Sequence, residues 1–137
     1  AEAYSNKGYC VLLFGTPTHP ENIGTISYCG DKHFIVEDEE QLFNAIEAIN
    51  RWNLDKVIVI SQTTFDLETF YIFSEILRDE LHKMIDLTIV NTICKATEIR
   101  QRETKELSKK VDCMIIVGGK NSSNTKKLYY ISREKNI

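Results

Sequence analysis

The chain has 137 residues, enough for one compact domain or for a small domain and a piece of another. An apolar fraction of 42% and a charged fraction of 27% are those of an ordinary soluble globular protein, so neither disorder nor a membrane span is indicated. The net charge is −3 and the basic residues are dispersed among acids, so there is no basic stripe for nucleic acid and any phosphate site must be local.

Residues 9–14 (YCVLLF) are a continuous apolar run ended by Gly15, Pro17 and Pro20, which predicts a buried strand feeding a rigid loop. Residues 33–36 predict a short second strand. From Glu39 the apolar positions Leu42, Phe43, Ile46 and Ile49 recur at helical spacing, so a helix is expected to about Asn50, closed by Trp52. Residues 56–60 (KVIVI) predict a third strand that opens into a polar turn at Gln62, Thr63 and Thr64. Asp66 is placed to cap the next helix, whose broad apolar face holds Leu67, Phe70, Tyr71, Leu77, Leu81 and Met84. Residues 87–90 read as a fourth strand, 94–110 as a charged helix, and 113–117 as a fifth strand.

Apolar strands alternating with helices predict an α/β fold: a parallel sheet with right-handed crossovers and helices on both faces. In such a fold ligands lie beyond the carboxyl ends of the strands, and the polar turns at 19–21, 62–64, Cys94 and 122–124 all fall there. The cysteines Cys10, Cys29, Cys94 and Cys113 show no CxxC pair and no secretory signal accompanies them, which predicts reduced thiols in a cytoplasmic setting. The chain begins at Ala1 rather than Met and stops at Ile137 just after a helix, so both ends are expected to be cuts in a longer polypeptide.

Several residue types at that rim could carry chemistry, and each admits a plainer reading. The segment 113–125 (CMIIVGGKNSSNT) reads as strand, tight turn and helix N-terminus. Its first amide hydrogens, beside Ser122, Ser123 and Asn124, could receive a diphosphate. Helix capping is the commoner use of such residues, and the glycine spacing is not that of a Walker A loop. Cys94 opens a helix, where the dipole favours the thiolate that binds metal, although free cysteines are more often small buried residues. His19 and Glu21 flank Pro20 and could bind an anion and deliver a proton, or Pro20 could simply start a short helix with Glu21 at its positive end. Thr63 could pass a proton or orient a substrate hydroxyl, or cap the helix that follows.

Taken together, NTICKATEIRQ at 91–101 and DCMIIVGGKNSSNTKKL at 112–128, preceded by HPE at 19–21 and QTT at 62–64, form a specific pattern. It resembles the 4-hydroxy-3-methylbut-2-enyl diphosphate reductases, the LytB/IspH family, over essentially the whole chain. The resemblance implies a three-lobed, bacterial α/β enzyme with a 4Fe-4S cluster held by one cysteine from each lobe. Such an enzyme uses two electrons and two protons to remove the hydroxyl of an allylic diphosphate, giving isopentenyl and dimethylallyl diphosphates in the non-mevalonate pathway. It implies Cys94 as a cluster ligand, His19, Ser122, Ser123 and Asn124 as diphosphate-binding residues, Glu21 as the proton donor and Thr63 as the contact to the substrate hydroxyl. An electron donor such as ferredoxin or flavodoxin is implied as partner, and no nucleic acid or membrane.

The family's two other cluster cysteines have no counterpart here. The chain is therefore expected to be a fragment, with a complete central lobe at 1–92 and the opening part of the third lobe at 93–137. One thiolate cannot retain a four-iron cluster, so the isolated fragment is expected to be inactive and cluster-free. The unfinished third lobe leaves the run at 114–117 to join the central sheet, to self-associate with another copy or to remain mobile. The rival readings are a non-catalytic phosphate-ligand-binding α/β module and an interaction domain.

Overall fold

The computed structural model describes residues 1–133, so the chain's end at Ile137 lies outside the described residues. The chain forms two compact units, Ala1–Thr92 and Ile93–Ile137.

In the first unit, strands β1 (Cys10–Phe14), β2 (His33–Val36), β3 (Lys56–Ser61) and β4 (Asp86–Ile89) make a parallel sheet in the order β2-β1-β3-β4. Register is set by pairs such as Leu12 with Phe34 and with Val59, and Ile58 with Thr88. All five residues of β1 are buried, because a central parallel strand is covered on both faces. The connecting helices are α2 (Pro20–Ile26), α3 (Glu39–Arg51) and α4 (Leu67–Glu80), with a short α1 (Glu2–Ser5) packed against β1. Helix α3 packs against β2 and beside α4. With the strand order β2-β1-β3-β4, right-handed crossovers call for α2 on the opposite face.

Asp38 and Asp66 cap α3 and α4 by accepting the N–H groups of Gln41 and Thr69. Under β1 the ring of Phe14 meets Phe65, Phe70 and Phe73 at 5.8, 5.7 and 5.4 Å between centroids. Three residues expected on buried helical faces are not buried: Phe43, Tyr71 and Met84 are 43%, 54% and 82% exposed. Helix α4 ends at Glu80, so Met84 lies beyond it and is no longer carried by its apolar stripe.

The second unit consists of α5 (Lys95–Ser108) and α6 (Ser123–Arg133), which pack on each other. The expected fifth strand is absent: residues 113–117 pair with nothing in a sheet. Met114 and Ile116 are half-buried while Ile115 and Val117 are 83% and 90% exposed. An apolar run becomes a strand only when a neighbour takes up its backbone donors and acceptors, and none does so among the described residues. Cys113, expected inside that strand, is exposed.

Candidate functional site

Strand order decides where a site can form in the first unit. The chain leaves β1 toward β2 on one side and returns as β3 on the other, so the carboxyl ends of β1 and β3 bound the crevice at which the connections diverge. Phe14 pairs with Ser61 there, which sets the β1–α2 turn beside the β3–α4 turn. His19, Glu21 and Thr63 meet on these two turns.

His19 is the N-cap of α2, its Nδ1 accepting the Glu21 N–H at 3.3 Å. A ring whose Nδ1 accepts is, when neutral, protonated at Nε2, so its other nitrogen is a donor. Pro20 occupies the first turn, where its missing N–H costs nothing. Glu21 reaches across the crevice: its Oε1 accepts the Thr63 N–H at 2.8 Å and its Oε2 accepts the Thr63 hydroxyl at 2.9 Å. The helical start at Pro20 and the long-range contact of Glu21 therefore coexist. Thr63 is not a cap, because Asp66 takes that role for α4. Its hydroxyl is spent on Glu21 as donor and keeps lone pairs for a further partner.

Beneath this solvent-accessible pair lies a buried one that sequence reasoning missed. Asn22 is fully buried, and its Nδ2 donates to Gln62 Oε1 at 2.7 Å and to the Thr16 carbonyl at 2.8 Å. Gln62 Oε1 also accepts the Thr16 N–H at 3.2 Å, while its Nε2 donates to Thr64 Oγ1 at 2.7 Å. Gly15 makes room for this junction: a Cβ there would stand 2.5 Å from Asn22 Nδ2 and 2.9 Å from Gln62 Oε1. At the end of β3, the Thr92 hydroxyl accepts the Ser61 N–H at 2.8 Å and donates to the Ser61 carbonyl at 2.6 Å, closing the sheet's hydrogen bonding past β4.

In the second unit Cys94 is exposed at the N-cap of α5. Its sulfur makes no capping hydrogen bond of ordinary length. The N–H groups of Ala96 and Thr97 nevertheless hold its thiol below the usual value against an opposing desolvation, with lesser help from the Thr97 hydroxyl and the Arg100 guanidinium. Cys10 is the opposite case, since burial in β1 pushes its thiol up to about 11. Burial also raises Cys29.

Ser122, Ser123 and Asn124 form the start of α6. Ser122 Oγ accepts the Thr125 N–H at 3.2 Å, and its carbonyl accepts the Lys126 N–H at 3.1 Å, so capping is realised here. The hydroxyl proton of Ser122 is not used in that contact. Asn124 Oδ1 is buried without a hydrogen-bond partner. Gly118 permits the turn to close on the helix, because a Cβ there would stand 2.2 Å from Thr125 Oγ1. Beside it is a hollow of about 200 Å³ lined by Gly118, Gly119, Lys120 and Lys126 among others.

Among the described residues no three His, Cys, Asp or Glu side chains converge as a metal site, so Cys94 is a single soft donor. No helix among them is long and apolar enough to cross a membrane.

Comparison with known proteins agrees with the motif pattern. A 4-hydroxy-3-methylbut-2-enyl diphosphate reductase of Aquifex aeolicus is 40% identical over 135 residues, covering 96% of this chain and 44% of the relative. One from Campylobacter lari is 42% identical over 132 residues, again covering 96% of this chain and 44% of the relative. The chain thus spans less than half the length of these relatives. A solved structure of (E)-4-hydroxy-3-methyl-but-2-enyl diphosphate reductase, the terminal enzyme of the non-mevalonate pathway, is 38% identical with a TM-score of 0.61, covering 98% of this chain and 46% of that one. A second, the E-1-hydroxy-2-methyl-but-2-enyl-4-diphosphate reductase from Plasmodium falciparum, has a TM-score of 0.84 at 28% identity, covering 99% of this chain and 41% of that one. The model of the LytB protein family matches residues 1–137, and the chain belongs to that family.

Proposed function

We propose that this chain carries part of the substrate-binding rim and proton-delivery apparatus of a 4-hydroxy-3-methylbut-2-enyl diphosphate reductase. The observation that carries the reading is the Glu21 carboxylate received by both the N–H and the hydroxyl of Thr63, at the crevice where an α/β sheet binds ligands. Membership of the LytB family supports the reaction class.

In this reading His19 Nε2–H, the hydroxyls of Ser122 and Ser123, the Asn124 amide and the first amides of α6 bind the diphosphate. The Thr63 hydroxyl donates to Glu21 in the structure. For delivery the pair reverses: a protonated Glu21 donates to the Thr63 oxygen while the Thr63 hydroxyl donates to the substrate's allylic oxygen, and so Glu21 is connected to the leaving oxygen. The C–O bond breaks, the oxygen leaves as water with a proton supplied through Thr63 from Glu21, and a second proton joins the allylic carbon frame. Two electrons balance the step. A 4Fe-4S cluster, reduced by a donor such as ferredoxin or flavodoxin, supplies those electrons when bound. Cys94 suits the role of ligand to one of its irons, being exposed and biased toward thiolate. The enzyme works in the cytoplasm.

Splicing this chain in place of the matching segment of the Aquifex aeolicus relative and assaying anaerobic reduction of the diphosphate tests the reading. The chimera should turn over, and Glu21→Gln should lower kcat about a hundredfold or more, the range for loss of a general acid. His19→Ala and Ser122→Ala should mainly raise KM. An active chimera indifferent to all three substitutions would refute these roles, and binding of the diphosphate without turnover would favour a non-catalytic module. The 137-residue chain alone, with Cys94 as its cluster ligand, should take up no stable cluster on anaerobic reconstitution with iron and sulfide. It should also self-associate through Ile115 and Val117 in sedimentation at high concentration.

A further inference from the structure

We propose that Asn22 is a positioning residue, whose buried amide ties the β1–α2 turn to the β3–α4 turn and thereby sets the Glu21 carboxylate against Thr63. The proposal rests on the reading of Glu21 and Thr63 given above. Glu21 and Asn22 are consecutive in α2, and Gln62 and Thr63 are consecutive in the β3–α4 turn. The two segments are therefore joined by adjacent cross-links, an outer one from Glu21 to Thr63 and an inner one from Asn22 to Gln62.

The outer link alone is poorly fixed. Thr63 is exposed and Glu21 half-buried, so water competes for both partners and each side chain has other rotamers to visit. The inner link is shielded: Asn22 and Gln62 are 0% and 4% exposed, and both are tied to Thr16, Asn22 to its carbonyl and Gln62 to its N–H. Gln62 is further held by its own N–H, which donates to the Phe14 carbonyl at 2.8 Å. With α2 and the β3–α4 turn locked at residues 22 and 62, their neighbours at 21 and 63 face each other at hydrogen-bond distance without having to find it.

Stability does not account for an asparagine at this position. Its Oδ1 is buried with no partner, which is an uncompensated desolvation. An apolar side chain would avoid that loss, while Ile23, the adjacent apolar residue, is left 56% exposed. What the asparagine provides and an apolar residue cannot is a donor aimed at two acceptors, one on each side of the crevice.

Amide hydrogen exchange on the 15N-labelled 137-residue chain tests the proposal without any turnover. In Asn22→Leu, and in Gln62→Met as a second variant that leaves the Asn22 bond to Thr16 intact, protection of the Thr63 N–H should fall roughly tenfold, the order expected when one net hydrogen bond is lost. The N–H groups of Leu12 and Val59 should keep their protection. If Thr63 is unchanged in both variants, or falls only in parallel with Leu12 and Val59, the clamp is overturned. The same substitutions in the chimera should lower kcat with little change in KM. A chimera that never reduces the diphosphate would overturn the proposed function and leave the exchange result to judge the clamp.

Discussion

Replacing Gly15 by alanine separates sterics from backbone strain. The φ angle of Gly15 lies outside the left-handed region, so alanine meets no conformational penalty and the whole effect comes from its methyl group. That methyl would stand 2.5 Å from Asn22 Nδ2 and 2.9 Å from Gln62 Oε1, about an ångström inside ordinary contact with both. Asn22 cannot swing away freely, because it is fully buried and bonded to Thr16. Overpacking of this kind costs about 1–3 kcal/mol. Loss of the buried Asn22–Gln62 bond adds about 1 kcal/mol, for a total of roughly 2–4 kcal/mol. Urea unfolding followed by fluorescence reads the first unit selectively, since Trp52 is the sole tryptophan and stacks on Phe34 with centroids 5.8 Å apart. With an m-value of about 2 kcal/mol/M the midpoint should fall by about 1–2 M. In an Asn22→Ala background the nearest contact and the Asn22–Gln62 bond are both gone while the approach to Gln62 at 2.9 Å remains. Gly15→Ala should therefore still cost something, but at least about 1 kcal/mol less than in the unmodified chain. A cost below about 0.5 kcal/mol, or an equal cost in both backgrounds, would refute the steric argument.

Other glycines should respond with different signs. Gly24→Ala should stabilise the first unit by about 0.5–1 kcal/mol in the same urea experiment, because the site is in a helix and a Cβ there meets nothing within 4 Å. Gly8→Ala should destabilise by about 1 kcal/mol although it too has open space, because its φ is +82°. Asp66→Ala removes the acceptor of the Thr69 N–H at 2.8 Å and should cost about 1 kcal/mol, read by the same denaturation curve. Cys94 should be alkylated by iodoacetamide at a lower pH than a free thiol, its thiolate being favoured in the folded chain. Thr97→Val or Arg100→Ala should move the rate profile, followed by mass spectrometry, to higher pH. Cys10, buried and pushed up to about 11, should stay unmodified until the chain unfolds.

What the sequence determined by itself is whatever depends on neighbours along the chain. The second strand at 33–36 has the observed limits, and the other paired strands begin and end within a residue of expectation, because apolar runs bounded by turns are local patterns. The Asp66 cap, the Trp52 end of α3 and the start of α2 at Pro20 were legible for the same reason. So was the family, whose motifs are runs of consecutive residues. The tertiary structure alone decided the rest. Residues 113–117 have the composition of a strand, yet a strand is made by its partners, and these residues pair with none in the described chain. In α2, a hydrophobicity pattern would bury Ile23 and expose Asn22, and the reverse occurs. Seven residues are too few for helical periodicity to average out, so a hydrogen bond to Gln62, forty residues away, chooses the buried face. That choice depends on Gly15 leaving space between two turns brought together by the pairing of Phe14 with Ser61, a relation no stretch of local sequence contains.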